Sequence, residues 1–207
     1  MKTDIITTDN HWPTPIWRTK LEEVNNEALI RFILDEQIKA PQSIRKSNYG
    51  GWHSRQNLYD ATETEELQQG IWEVCHKLWP FIEGVTPRGH AGIYFKQMWA
   101  MINKKHDWHT THQHGMYEIS GGYYLRAPKD CGNIVFQDPC ILRNNNHFVN
   151  TFISNGDSRW YEPREHDLIM WPAYVSHYVE PSKSDEDRIM ISFDMDIICH
   201  GSDIKRS

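Results

Sequence analysis

The sequence predicts a mainly β fold with N-terminal helices, an α+β chain that ends in a double-sheet core of the sandwich or jelly-roll type. Apolar residues recur at the helical spacing of about 3.6 before residue 80, and they alternate with a period of two from Gly92 onward. Many short strand-like runs separated by turns then indicate two packed sheets. At 207 residues the chain fits one domain. We expect residues 12–90 to supply a strand and supporting helices, and residues 91–200 to form the jelly-roll core.

An edge strand and a helix are expected first. Ile16 to Leu21 reads as a short strand, and Pro15 before it suits the edge of a sheet. Asn25 or Asn26 can cap a helix that runs to about Lys39, because an asparagine side chain accepts hydrogen bonds from the free N–H groups of a first turn. The apolar stripe of this helix is expected to pack against the sheet, and it consists of Leu29, Ile30, Phe32, Ile33, Leu34 and Ile38.

A second helix is expected between residue 62 and Pro80. Thr62 and Glu65 fit a capping box, in which a hydroxyl and a carboxylate three residues apart each accept a backbone N–H of the other residue. Residues 42–60, between the two helices, are polar and are predicted to form a loop with one short strand.

Strands separated by turns are predicted for the second half. The first strand spans residues 93–103, and its alternation places five side chains on one face: Phe95, Gln97, Trp99, Met101 and Asn103. Six further runs have strand character, at residues 119–125, 133–137, 148–154, 167–171, 176–179 and 188–194.

Composition bounds the possible partners and compartment. The chain carries 22 basic and 28 acidic residues with no basic run, so binding to nucleic acid through phosphate neutralisation is not favoured. No apolar run approaches the roughly 20 residues that a membrane-spanning helix needs, and the N-terminus has no apolar segment typical of a secretory signal. The four cysteines form no C-x-x-C pair, which is typical of reduced thiols in a cytoplasmic protein.

Four histidines within nine residues indicate a metal site. His112 and His114 are two residues apart, so they would share one face at the entry to the strand that begins at Ile119. Neutral imidazole is a good ligand for Fe, Zn, Cu and Ni. The candidate for the third ligand is His177, which opens a later strand. For His106 and His109 we expect ordinary surface or core histidines.

Arg188 is the candidate for binding an anionic group beside such a metal. It lies 188 − 177 = 11 residues after His177, and it shares a strand face with Met190 and Ser192. A guanidinium directed into a pocket can hold a carboxylate through two parallel hydrogen bonds. The alternative is a surface ion pair with one of the three acidic residues that precede it.

Several motifs together resemble a known enzyme family. They are HQH at 112–114, SGGYYL at 120–125, GNIVFQDP at 132–139, WPAYVSH at 171–177 and RIMISF at 188–193, with PTPI at 13–16 and GWHS at 51–54 in the N-terminal part. The chain resembles, over residues 12–198, the 2-oxoglutarate- and Fe(II)-dependent oxygenases that are related to the prolyl 4-hydroxylases.

This resemblance implies a double-stranded β-helix, the jelly roll that cupins share, with the metal inside one mouth. It implies Fe(II) and 2-oxoglutarate as cofactors, with ascorbate in addition, and O2 as the second cosubstrate. His112 and His177 are implied as iron ligands. The residues predicted to contact 2-oxoglutarate are Arg188, which would anchor its distal carboxylate, Tyr124, which would support that carboxylate, and Asn103 and Ser192.

The sequence departs from the family pattern at one ligand position. The usual site is a facial triad of two histidines and one carboxylate, with the carboxylate two residues after the first histidine. That position is His114 here, so we expect His114 to replace the carboxylate. The alternative is that Glu118 or Asp138 supplies the third ligand, although Asp138 could equally cap backbone N–H groups of a turn.

The expected function is therefore that of a 2-oxoglutarate- and Fe(II)-dependent dioxygenase that hydroxylates an amino-acid, peptide or protein substrate. One alternative is a three-histidine cupin-type dioxygenase that does not use 2-oxoglutarate. Another is a non-catalytic jelly roll that binds a metal for structural reasons. The sequence leaves the prime substrate and the oligomeric state open.

Overall fold

The computed structural model describes residues 14–78, 90–140 and 158–200. In this part of the chain the helices are α1 (Asn26–Lys39) and α2 (Glu65–Leu78), with two short 3-10 helices at Leu58–Asp60 and Thr62–Thr64. The strands are β1 (Trp17–Lys20), β2 (Asn48–Tyr49), β3 (Trp52–His53), β4 (His90–Asn103), β5 (Trp108–His112), β6 (Ile119–Arg126), β7 (Ile134–Gln137), β8 (Ser158–Tyr161), β9 (Asp167–Pro172), β10 (His177–Val179) and β11 (Arg188–His200).

The strands form two antiparallel sheets that face each other. One sheet has the order β1-β9-β6-β11-β4-β3, and the other has the order β2-β5-β10-β7-β8. An apolar cluster fills the space between them, with Trp99, Tyr124 and Met190 from the first sheet and Ile134 and Phe136 from the second. The predicted mainly β fold with N-terminal helices is confirmed, and its architecture is the double-stranded β-helix, or jelly roll. The predicted division into residues 12–90 and 91–200 stays a prediction.

The outer face of the larger sheet carries the helices. Asn25 caps α1 as predicted, since its Oδ1 accepts the backbone N–H of Ala28 at 3.1 Å. The next residue, Asn26, is buried and donates to the carbonyl oxygen of Leu125 on β6 at 2.9 Å, which ties the first turn of the helix to the sheet. Four members of the predicted apolar stripe pack in this outer core, namely Leu29, Ile30, Phe32 and Ile33.

Two details of the helices differ from the prediction. Leu34 and Ile38 are exposed, because the stripe is narrower than the run of apolar residues suggested. The capping box is also wrong: Thr62 begins a 3-10 helix and its hydroxyl lies 3.4 Å from the carboxylate of Glu63. The buried Thr64, one turn later, donates its hydroxyl to the carbonyl oxygen of Leu58 at 2.9 Å instead.

Most predicted strands are present, with β5 and β8 as additions. The short strand expected within residues 42–60 is two strands, β2 and β3, which belong to different sheets. Gly50 and Gly51 join them with φ angles of 73° and 68°, a left-handed backbone that favours glycine. The strand predicted at 148–154 lies outside the described residues.

An irregularity in β4 changes one face assignment. The pairing of β11 with β4 shifts where Asp194 is opposite Gln97 and Met195 is opposite Phe95, so one extra residue of β4 lies between them. Phe95 therefore packs edge-to-face on Phe193, with ring centroids 5.7 Å apart, in the outer core rather than between the sheets. The other predicted members of that face, from Gln97 to Asn103, keep a common orientation.

None of the described helices is both long and apolar enough to cross a membrane. Cys75 and Cys131 are buried free thiols, and Cys140 is an exposed one. The cytoplasmic location stays a prediction.

Candidate metal centre

Three histidines converge at one end of the space between the sheets. One potential ligand atom from each of His112, His114 and His177 lies within 4.8 Å of the others. His112 ends β5 and His177 begins β10, and the two residues are direct cross-strand partners. His114 lies two residues beyond β5, where its backbone N–H donates to the carbonyl oxygen of Ala173 at 2.9 Å. The predicted trio is thus brought together.

The local placement of two of these histidines differs from the prediction. His112 and His114 were expected at the entry to the strand that begins at Ile119. They lie instead at the exit of β5 and in the turn that follows it. The polar sequence WHTTH concealed this strand, because the alternation of apolar and polar residues is weak there.

Hydrogen bonds orient all three rings in the same way. His112 and His177 each place Nδ1 against the backbone carbonyl oxygen two residues earlier in the chain, at 2.8 and 3.0 Å respectively. His114 places Nδ1 at 2.6 Å from Oδ1 of Asp194. A ring whose Nδ1–H donates to an oxygen keeps its lone pair on Nε2. The three Nε2 atoms are therefore the ones available to a metal.

Burial keeps two of the three imidazoles neutral. Removal from solvent, with a smaller contribution from the neighbouring His114, lowers the pKa of His112 to about 4. Burial also holds the pKa of His177 well below its usual range, with a second contribution from His112. A metal binds only the unprotonated imidazole, so these two ligands need not release a proton at neutral pH.

Asp194 is a component of the site that sequence reasoning missed. Its side chain is about 2% exposed, and Oδ1 is 2.6 Å from both His114 Nδ1 and the Ser120 hydroxyl. The period of two that assigned Arg188 and Ser192 to one face of β11 extends directly to residue 194. That extension was the signal that could have found it.

The centre opens into a cavity of about 540 Å³ between the two sheets. Side chains of the larger sheet contribute one wall, among them Trp99, Tyr124 and Met190, and the predicted contact Ser192 lies on the same wall. Trp171 also lines the cavity, and its buried indole N–H has no hydrogen-bond partner among the described residues.

Arg188 is buried at the start of β11, two residues before Met190, the first residue of this strand that lines the cavity. Its Nη1 donates to the carbonyl oxygens of Cys131 at 3.0 Å and Gly132 at 3.2 Å, and its Nη2 donates to Asn103 Oδ1 at 3.0 Å. These three partners are neutral, so the alternative of a surface ion pair does not describe this side chain. Its Nε–H is buried without a partner in the part of the chain that the structure describes. The guanidinium therefore retains donor capacity for an anion.

Two further histidines line the cavity, and both were missed as site residues. His109, which was expected to be ordinary, is buried with its Nε2 at 3.2 Å from Asn103 Nδ2. Burial, and then the charge of Arg188, hold its pKa well below the usual range. His53 stacks on Trp99 with ring centroids 5.6 Å apart. His109 and His112 reach the same cavity although they are three residues apart, because the β5–β10 register shifts between them.

The alternative carboxylates do not join the three histidines. Glu118 is exposed, and Asp138 accepts the backbone N–H of Cys140 at 2.9 Å, which is the turn-capping role considered for it. Neither belongs to the group of potential ligands around His112. His106 is exposed, as expected.

The fold and the site together define a jelly roll in which three clustered histidines could hold a metal ion. Three neutral nitrogen donors suit Fe, Zn, Cu or Ni. A structural zinc site is normally closed by four protein ligands, whereas three ligands beside an open cavity leave room for small molecules. This arrangement fits a catalytic centre better than a structural zinc site.

Comparison with known families shows which enzymes the core of the chain resembles. Residues 97–194 match the family described as "Putative 2OG-Fe(II) oxygenase". This segment contains all three histidines together with Arg188 and Asp194. The resemblance predicted from the sequence is confirmed over this segment. No curated protein sequence matches the chain.

Solved structures with the same fold have low sequence identity. A prolyl-4-hydroxylase from Pseudomonas putida matches 91% of this chain and 94% of its own, with 13% identity and a TM-score of 0.59. The non-heme α-ketoglutarate-dependent epimerase SnoN from nogalamycin biosynthesis matches 93% and 81%, with 12% identity and a TM-score of 0.64. HygX from Streptomyces hygroscopicus, with nickel and 2-oxoglutarate bound, matches 88% and 83%, with 8% identity and a TM-score of 0.59.

Proposed function

We propose that the protein holds Fe(II) through His112, His114 and His177, binds 2-oxoglutarate through Arg188, and hydroxylates an amino-acid, peptide or protein substrate. The observation that carries this proposal is the buried guanidinium of Arg188 with its unpartnered Nε–H. A buried cation whose described hydrogen-bond partners are all neutral is stabilised when a carboxylate binds it.

The three histidines fit Fe(II) by the chemistry of their donors. Each offers Nε2 while its Nδ1 is held by a backbone carbonyl or by a carboxylate, an arrangement that fixes ring orientation in metal sites. Imidazole is a suitable ligand for Fe(II). Fe(II) held by these histidines would supply, with 2-oxoglutarate and O2, an oxidation that releases succinate and CO2.

The distal carboxylate of 2-oxoglutarate fits the environment of Arg188. Tyr124 and His109 line the cavity, and both are close enough to Arg188 for its charge to lower their pKa values. Burial is the larger effect on Tyr124, and it raises the pKa of the phenol, so the hydroxyl stays protonated and can donate to a carboxylate. Asn103 orients the guanidinium by accepting one of its hydrogen bonds.

The remaining contacts position the cosubstrate and exclude water. Ser192 lies on the cavity wall two residues from Asp194, and its hydroxyl can donate to the oxo-acid end of the cosubstrate. Trp99, Met101 and Met190 supply an apolar surface that removes water from the reacting groups. The hydroxylase reaction rests on the likeness to prolyl hydroxylases, and the structural neighbours also include an epimerase. Ascorbate dependence stays a prediction.

The test measures succinate released from 2-oxoglutarate by the protein with Fe(II) and O2, in the presence of a peptide library or free amino acids. We expect Fe(II)-dependent turnover that His177→Ala abolishes. Binding of 2-oxoglutarate under anaerobic conditions, measured by calorimetry, provides a second reading that needs no substrate.

The three-histidine cupin-type dioxygenase is the second candidate, because His114 stands where a carboxylate would otherwise be. Under that alternative the protein consumes O2 with a substrate but neither binds 2-oxoglutarate nor releases succinate. Iron-loaded protein that binds no 2-oxoglutarate at millimolar concentration would exclude the first proposal.

A further inference from the structure

A site of three histidines differs in charge from a site of two histidines and a carboxylate. Fe(II) with two imidazoles and a carboxylate has a net charge of +1, whereas Fe(II) with three neutral imidazoles has a net charge of +2. In a buried site such a difference has a large effect on metal affinity, because the low local dielectric strengthens electrostatic interactions. The position of a further negative charge near His114 therefore bears on how this site holds its metal.

Asp194 places a carboxylate directly behind His114. Oδ1 is 2.6 Å from His114 Nδ1, on the opposite side of the ring from the nitrogen that faces the other histidines. The Ser120 hydroxyl donates to the same oxygen at 2.6 Å and holds it in place. Asp194 and Ser120 are also direct cross-strand partners on β11 and β6, so the backbone fixes their separation.

Among the described residues, no lysine or arginine forms an ion pair with this carboxylate. Within the described ranges, His114 is the residue that forms an ion-pair contact with Asp194. The nearest acidic residue of the same strand, Asp196, differs in this respect because Lys96 lies 3.6 Å from it. A buried carboxylate costs several kcal/mol unless a positive charge compensates it. A metal bound on the other side of the His114 ring would provide that charge.

We propose that Asp194 is the positioning residue that supplies, through His114, the negative charge which the three-histidine set lacks. It accepts the Nδ1–H of His114, which directs the Nε2 lone pair to the metal and raises the basicity of the ring. The carboxylate thus acts from behind a ligand rather than as a ligand itself. This inference rests on the metal site of the proposed function, and it adds a residue outside the three ligands.

The experiment measures Co(II) binding by calorimetry and by the visible absorption of the bound ion, with no cosubstrate or turnover. The variants are Asp194→Asn, His114→Ala and the double variant. Asp194→Asn preserves shape and a hydrogen-bond acceptor while removing the charge. Asp196→Asn is the matched control, because it makes the same substitution two residues along the same strand. Thermal unfolding of each metal-free variant verifies the fold.

We expect Asp194→Asn to weaken Co(II) binding about 10- to 100-fold, the range typical of groups that support a metal-bound histidine. Asp196→Asn should change the affinity by less than about threefold, since an exposed ion pair contributes little. The double variant should bind no more weakly than His114→Ala alone, because Asp194 then has no ring through which to act. The absorption of bound Co(II) should change in Asp194→Asn but not in Asp196→Asn.

Two results would overturn the inference while the proposed function stands. One is an Asp194→Asn affinity within about threefold of the wild type. The other is a double variant whose loss is the product of the two single losses, which would make Asp194 an independent, direct ligand. If Asp194→Asn does not fold, Asp194→Ser replaces it, because it also removes the charge, and unchanged Co(II) affinity in that variant likewise refutes the inference. Wild-type protein that binds no Co(II) would overturn both proposals together.

Discussion

Replacing Arg188 with methionine tests the proposed cosubstrate site most directly. Methionine retains a long flexible side chain but removes the charge and all donors. The guanidinium has five N–H groups, and three of them are engaged by Cys131, Gly132 and Asn103. The remaining 5 − 3 = 2 donors, including the buried Nε–H, are available to the distal carboxylate of 2-oxoglutarate.

The expected loss of affinity follows from these two donors. A hydrogen bond between charged groups contributes about 1.5–3 kcal/mol, so two of them contribute about 3 kcal/mol at the lower end. Because about 1.4 kcal/mol corresponds to a tenfold change in Kd, Arg188→Met should weaken 2-oxoglutarate binding by at least about 100-fold.

The assay compares the affinities of two ligands, because general damage to the site would weaken the binding of both equally. Anaerobic calorimetry with Fe(II) measures Kd for 2-oxoglutarate and for 2-oxobutyrate, which has the same oxo-acid end but lacks the distal carboxylate. We expect Arg188→Met to raise Kd for 2-oxoglutarate alone, and the preference of the wild-type protein for the dicarboxylate to disappear. Arg31→Met is the control, because Arg31 is an exposed residue of α1, which packs on the outer face of the larger sheet away from the cavity.

The ratio of the Kd for 2-oxobutyrate to the Kd for 2-oxoglutarate shows whether Arg188 binds the distal carboxylate. If folded Arg188→Met retains the wild-type preference for 2-oxoglutarate over 2-oxobutyrate, Arg188 does not bind the distal carboxylate. Loss of affinity for both ligands in equal proportion would likewise assign Arg188 a purely structural role.

Three further predictions concern stability, measured as the free energy of unfolding in urea. Burial lowers the pKa of His109 in the folded state, so the neutral ring stabilises the fold above the unfolded pKa near 6.5, and this stabilisation is lost as the pH falls. Between pH 7.5 and 5, the free energy of unfolding of His109→Gln should therefore decrease by about 2 kcal/mol less than that of the wild type. In Gly121→Ala the new Cβ would lie 2.2 Å from the Phe193 ring, which should cost about 1–3 kcal/mol. Asn25→Ala should cost about 1 kcal/mol by removing the cap of α1.

A specific experimental result would contradict each of these three predictions. Identical pH dependence in His109→Gln and the wild type would show that His109 titrates normally in the folded protein. Gly115→Ala is the matched control for Gly121→Ala, since a Cβ at residue 115 meets no described heavy atom within 4 Å. Equal stability of these two alanine variants would contradict the close packing on Phe193. An unchanged free energy of unfolding in Asn25→Ala would mean that the cap contributes nothing.

The local signals in the sequence predicted well those elements whose side chains are divided cleanly between core and solvent. α1 begins at Asn26 and ends at Lys39 because a capping asparagine and Pro41 bound a run of apolar residues. The long strand β4 alternates for most of its length. By contrast, β5 and β8 are largely polar, and they form because neighbouring strands satisfy their backbone groups rather than through their own propensity.

The candidate site was predictable where a ligand motif coincided with regular strand spacing. The three histidines were found because imidazole is a specific metal ligand and their spacing matched a family motif. His109 was not found, since a register shift in the sheet brings it to the same cavity as His112. Its burial depends on contacts with Asn103, which lies on another strand and whose proximity no local pattern shows. Asp194 could have been predicted, because the alternation of side chains along β11 places it on the same face as Arg188 and Ser192.

The direct pairing of His112 with His177 makes the proposed metal site depend on the register between β5 and β10, two neighbouring strands of the smaller sheet. β10 has only three residues, and a slip of one position would turn His177 to the opposite face. A chain with that register would bring together two of the three proposed ligands, His112 and His114, without His177. On the proposed function, metal affinity would therefore report whether β5 and β10 have paired correctly.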